Sequence, residues 1–108
     1  MSARLASGIW VSAYLRRLQM LGIPAYVITR GDEVAGAVLV KLALMDGTAR
    51  AYTRSFDLQN DTRIWQVLVE GGEQDVDAAI TRQRSFDPDL WVIEVEDARG
   101  RDLLAEMG

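Results

Sequence analysis

The chain has no cysteine and no histidine among its 108 residues, and only one lysine, Lys41. The first absence excludes a disulfide framework, a thiol nucleophile and any iron–sulfur or cysteine-bound zinc site. The second removes the commonest general base and metal ligand. With it go the Ser-His-Asp triad, the Cys-His pair, HExxH and histidine-bound zinc. A Schiff-base mechanism would have to run through Lys41. No segment approaches the ~20 apolar residues that a membrane helix needs. The opening MSARLASGIWVSAYLRR has the outline of a short signal peptide. Its apolar run is interrupted by Ser7, Gly8 and Ser12 and ends in Arg16 and Arg17, not at a small-residue cleavage site. The expectation is a cytoplasmic protein with no membrane segment. The chemistry left open is carboxylate acid–base work, a hard cation held by oxygens, arginine recognition of anions, or binding alone.

What is present describes one ordinary domain. The chain is 49% hydrophobic and 26% charged, with a formal net charge of −4. Its length suits one core and not two. Eleven of the twelve basic residues are arginine, which a GC-rich coding sequence explains without a functional cause.

The hydrophobic pattern predicts a helix over 7–22, with Ser7 as cap, Gly22 as stop and Pro24 beyond. At 100° per residue, Trp10, Val11, Tyr14, Leu15, Leu18 and Leu21 share one stripe. Ile9, Ala13 and Met20 form a second, nearly opposite, and are candidates for a subunit contact. The blander reading places that stripe against a loop or another helix. Strands are predicted over 25–30, 35–45, 48–56, 63–69 and 90–96, with a turn from Asp57 to Asp61. A second helix is expected over 73–85, its acids first and its arginines last, as a helix dipole favours. A short terminal helix is expected over 100–107. The order α-β-β-β-β-α-β with hairpin-length connections implies an α+β domain. About five strands form a mainly antiparallel sheet, with the helices mostly on one face.

Asp46-Gly47 between two β-like runs is a strong hairpin signal, because a two-residue type I′ turn needs positive φ at both positions. That turn would set Lys41 opposite Tyr52 and Leu39 opposite Arg54. Alternation then gathers Lys41, Arg50, Tyr52 and Arg54 with Leu39 and Ala43 on one face, away from a core face of Val38, Val40, Leu42 and Leu44. Charge is split along the chain: residues 1–54 carry a net +4 and residues 55–108 a net −8. A basic face with an interleaved tyrosine is a candidate for anions or single-stranded nucleic acid. Three bases are few for such a site, and the bland reading is a solvated outer face paired with the acidic half.

Other acidic pairs read as structural. Asp75 and Asp77 complement a helix dipole, and Asp87-Pro88-Asp89 is a helix stop. Glu94, Glu96 and Asp97 are the nearest thing to a carboxylate site, short of the roughly six oxygens a hard cation takes. Neither a metal nor a cofactor is expected. Arg30-Gly31-Asp32 reads as a tight turn, and no GxGxxG, Walker A or GxSxG motif occurs.

Three stretches carry a resemblance. They are Gly8-Ile9-Trp10-Val11-Ser12-Ala13-Tyr14-Leu15-Arg16-Arg17, then Arg30-Gly31-Asp32 leading to Ala35-Gly36-Ala37-Val38-Leu39-Val40-Lys41, then Phe86-Asp87-Pro88-Asp89-Leu90-Trp91-Val92-Ile93-Glu94-Val95-Glu96-Asp97. In order and over nearly the whole chain, it resembles the small bacterial family catalogued as domain of unknown function 1491. The resemblance implies a single-domain protein and carries over no activity, cofactor or catalytic residue. Three functions stay open. The first is a protein-interaction module binding an unknown partner or itself as a homodimer. The second is anion or nucleic-acid binding through Lys41, Arg50, Tyr52 and Arg54. The third is a carboxylate-dependent enzyme.

Overall fold

The computed structural model describes residues 5–57, 59–60 and 62–107. The expected turn from Asp57 to Asp61 includes Leu58 and Asp61, which lie outside the described residues. The elements run α1 (Ser7–Met20), β1 (Ala25–Thr29), β2 (Val38–Ala43), β3 (Thr48–Asp57), β4 (Thr62–Gly72), α2 (Glu73–Phe86), β5 (Trp91–Glu96) and α3 (Leu104–Met107). The five strands make one sheet in the order β1-β5-β2-β3-β4. Only β2 and β5 pair in parallel; the other pairs are antiparallel. The fold is α+β with a mixed, mostly antiparallel sheet. Helix α2 is the crossover that carries the chain back to the sheet centre, as a parallel pair requires.

Helix α1 begins without a side-chain cap. Ala6 is its N-cap, and Ser7, the expected cap, sends its hydroxyl to the Gly36 carbonyl at 2.6 Å instead. The first amides find partners in the 33–36 loop: Ser7 donates to the Val34 carbonyl and Gly8 to that of Glu33. The loop therefore performs the capping that a side chain usually supplies. At the other end Gly22 takes φ +72° and its amide donates to Gln19, a glycine stop of the expected kind.

Two cores form, one on each face. Trp10, Val11, Tyr14 and Leu18 of α1 and Leu104 of α3 pack on Val38, Val40, Leu42, Ile93 and Val95. On the other face Val76 and Ile80 of α2 pack on Leu39, Ala49, Ala51 and Val92. Two of the three helices share a face, and α2 covers the other. This explains β2: every residue from Val38 to Ala43 is buried, because the strand is central and covered on both sides. Among the described residues, no helix is long and apolar enough to cross a membrane.

The hairpin between β2 and β3 differs from the expectation by one residue. Leu42 pairs with Arg50 and Lys41 with Ala51. The loop is three residues, Met45-Asp46-Gly47, closed by the Leu44 amide donating to the Thr48 carbonyl at 3.0 Å. Met45 sits at φ +65° and Gly47 at φ +87°. Asp46 accepts from both the amide and the hydroxyl of Thr48, which spends its side chain inside the loop and holds its carboxyl below the usual range. Because side chains alternate with period two, this one-residue slip moves β3 to the opposite face relative to β2.

Candidate functional site

The slip separates the four residues expected to share a basic face. Arg50, Tyr52 and Arg54 stand with Val38, Val40 and Leu42 on the α1 side, whereas Lys41 lies with Leu39 and Ala43 beneath α2. Lys41 is 5% exposed, not a surface cation. Its Nζ lies 2.8 Å from Glu73, 2.8 Å from Asp77 and 3.3 Å from Glu94. Burial by itself pushes its pKa down. The hydrogen bonds to Asp77 and Glu73 and the charge of Glu94 outweigh burial and hold it above the usual lysine value. A lysine so fixed is a poor nucleophile, because the neutral amine is the reactive form.

On the α1 side the three residues have different company. Arg50 pairs with Glu70 at 3.2 Å. Tyr52 is half-buried beside Arg50 and Asp102, and burial leads the causes that raise its pKa. Arg54 lies against two adjoining indoles, its Cζ 4.8 Å from the Trp10 ring centroid and 4.7 Å from that of Trp65. Trp10 also stacks on Tyr14 at 4.9 Å and meets Trp65 at 5.4 Å. Register supplies this cluster: Arg54 pairs with Trp65 across β3 and β4, and α1 lays Trp10 over both. A bulge in β4, where Ala51 pairs with Val69 but Tyr52 with Val67, re-aims this part of the strand.

The cluster borders a cleft of about 820 Å³ at the base of the β3–β4 hairpin. Leu5, Val34, Leu68 and Leu90 contribute apolar surface to it; Arg54 and Arg63 are its cations and Asp87 its carboxylate. Leu5, Val34 and Leu68 are 60%, 72% and 40% exposed, so large apolar side chains converge on an open site. A second concavity, of about 360 Å³, lies between Tyr52, Trp65 and α3, and Arg63 borders both. Sequence reading missed Arg63 and Trp65. The alternation Arg63, Trp65, Val67 was the available signal, yet its face depends on a register that no turn residue announced.

The remaining candidates resolve into structure. Asp87 accepts from the Asp89 amide just past α2, and Asp32 accepts from the amides of Val34 and Ala35, so each closes a turn. Glu94 belongs to the Lys41 cluster, and Asp97 accepts three hydrogen bonds from Arg101. Neither concavity is lined by Glu94, Glu96 or Asp97. Among the described residues, no group of three or more carboxylates is placed to hold a metal ion. Ile9 and Met20 are 58% and 68% exposed on the outer side of α1.

A helix-flanked, five-stranded mixed sheet with one cleft at its hairpin arm defines the class of domain. Residues 5–105 match the family described as protein of unknown function (DUF1491), and the chain belongs to that family. It is similar to a DUF1491 family protein from Caulobacter crescentus CB15 solved by crystallography. That protein is 41% identical, 94% of each chain is covered, and the TM-score is 0.83. It is likewise similar to an NMR structure of a DUF1491 family protein from that organism, at 40% identity, with 95% of this chain and 94% of that one covered and a TM-score of 0.82. The solution structure of protein Atu0922 from A. tumefaciens is 33% identical over 87% of this chain and 86% of that one, with a TM-score of 0.74. No curated protein matches.

Proposed function

We propose that this domain is a non-enzymatic protein-interaction module, and that its working surface is the outer edge of β4. The observation that carries this reading is the strand itself. It is the last strand of the sheet, runs for 11 residues, and exposes Ile64, Val67 and Leu68. An edge strand offers a row of backbone donors and acceptors to which an extended segment of a partner can add. The bulge near Leu68 interrupts the row and leaves Thr62–Val67 as its regular part. The chemistry of the chain supports binding over catalysis: it has no histidine or cysteine, and its one lysine is neutralised by three carboxylates.

The test is peptide display on the immobilised domain, followed by affinity measurement with an Ile64→Lys and Val67→Lys double variant. Both positions are exposed, and charged edge residues oppose strand addition. Peptides selected by the wild type should bind the variant about tenfold more weakly. If no peptide is selected, or the variant binds equally well, the reading is rejected.

A further inference from the structure

The cleft at the base of the hairpin is separate from the β4 edge in its chemistry. Its volume of about 820 Å³ falls within the roughly 300–1,000 Å³ typical of small-molecule sites. It combines apolar walls with a sparse set of polar groups, as such sites do. The charged side chains lining it are Arg54, Arg63 and Asp87, a positive excess on a chain of net charge −4. Arg54 also rests against two adjoining indoles, with a cation–π contact to each, which favours one placement of its guanidinium before a ligand arrives. Trp10 lines the same cleft, and its buried indole N–H has no acceptor among the described residues. A wall of this kind offers donors and positive charge at one place and aliphatic surface around it.

We propose that this cleft binds a small amphipathic carboxylate, its acid group toward the Arg54–Arg63 side and its apolar body against Leu5, Val34 and Leu68. The guanidinium groups supply charge-assisted hydrogen bonds, which are stronger than neutral ones. The exposed aliphatic side chains supply the area whose burial drives association. The site does not require either arginine to be free of protein partners; it requires that the cleft as a whole favour an anion over its neutral isostere.

The experiment titrates isotope-labelled protein with decanoate and, separately, with decanol, following backbone amides and the three tryptophan indole signals. Decanoate should give saturable shifts at Val34, Leu68 and the Trp10 indole, and the α2-side residues Ala49 and Val76 should stay still. Decanol should bind about tenfold more weakly, and Arg63→Ala should weaken decanoate by a similar factor. Arg63 is exposed, so that variant retains its fold. Val34→Asp, at a position 72% exposed, should abolish binding of both probes. Equal binding of acid and alcohol overturns the proposal. So do shifts at Ala49 or Val76, absence of saturation, and a response seen only when an acidic peptide replaces decanoate.

Discussion

The two faces of the sheet are packed by different means. On the α1 side the sheet meets large side chains: Trp10, Tyr14 and Leu18 from the helix, with Trp65 half-buried beside them. On the α2 side Ala49, Ala51 and the part-buried Val69 join Leu39 and Val92, beneath a helix with only Val76 and Ile80 buried. A narrow apolar helix face lies over a sheet surface in which two alanines on β3 replace larger side chains, and a buried lysine lies beside it. The cleft is lined by Trp10 and Arg54 from the aromatic face and by Gln83 and Leu90 from the α2 side, and the ion cluster lies beneath α2. The difference teaches that packing divides here by residue size. Bulky aromatics leave irregular surface beside the cleft, and small residues on β3 let α2 close on the other face.

The division depends on three loop residues, and removing one of them tests it most severely. Deletion of Met45 leaves a two-residue loop, which is the length that the Asp-Gly signal suggests. If the loop then imposes its preferred register, Arg50, Tyr52 and Arg54 turn toward α2, and Ala49 and Ala51 turn toward Trp10. Aromatic and charged groups would exchange places with alanines on both cores. The expected result is loss of cooperative unfolding in thermal melts followed by circular dichroism. A variant that melts like the wild type would show that β2 keeps its face through its pairing with β5 and that the loop is passive.

Replacing Lys41 with methionine is the next largest perturbation. It keeps the stem and removes the charge that three carboxylates surround. Stranding buried charge by removing one partner typically costs about 3–5 kcal/mol. Glu73 and Asp77 are 43% and 56% exposed and can turn to water, so about 2–3 kcal/mol is expected by urea denaturation. Lys41 has its pKa raised in the folded state. Its contribution is therefore complete below the ordinary lysine value and is lost only as pH rises through the raised one. The deficit of the variant should be constant near neutrality and shrink only at strongly alkaline pH. A deficit below about 0.5 kcal/mol, the range of an ordinary surface substitution, would make the lysine a surface charge in energetic terms. The alanine face would then be held by apolar contacts alone.

These effects also mark what could be read in advance. Both long helices, all five strands and the short final helix follow from periodicity, Gly22, Gly47 and the charge order of α2. Helix α1 was legible to its end because Gly22 at positive φ is a local stop. Its start at residue 7 was legible too, but its cap was not, since the capping groups belong to residues 33 to 36, far along the chain. The loop is one residue longer than Asp46-Gly47 implies because Met45 adopts positive φ without being glycine or asparagine, a choice that no local rule favours. That one residue decided the candidate site. Lys41 was grouped with Arg50, Tyr52 and Arg54 by parity, and parity is what a single extra loop residue inverts. The place of β5 between β1 and β2 was likewise invisible, because a crossover pairing leaves no local signature.

The smallest expected effect concerns how α3 is held on the aromatic face. Asp97 follows β5 directly, and its carboxylate accepts from the Arg101 backbone amide at 2.7 Å, from Nε at 3.0 Å and from Nη2 at 3.0 Å. This closes the loop that delivers Leu104 into the core, while the Tyr14 hydroxyl donates to the Asp102 carbonyl at 2.7 Å. The side-chain bond from Arg101, ahead of the opposing effect of burial, holds the Asp97 carboxyl below its usual range. The stability that this bond provides is present above the ordinary carboxylate pKa and is lost as pH falls through the lowered value. Asp97→Asn keeps one acceptor oxygen but loses the charge. Arg101 is 42% exposed and screened by solvent, so the loss should be about 1 kcal/mol at neutral pH. The two proteins should converge as pH falls below the ordinary carboxylate range, since the wild type then gives up what the variant never had. If the gap stays constant across that range in urea melts, the ion pair is not what closes the loop. The backbone bonds and Leu104 would then hold α3 in place, and the aromatic face would be apolar to its rim.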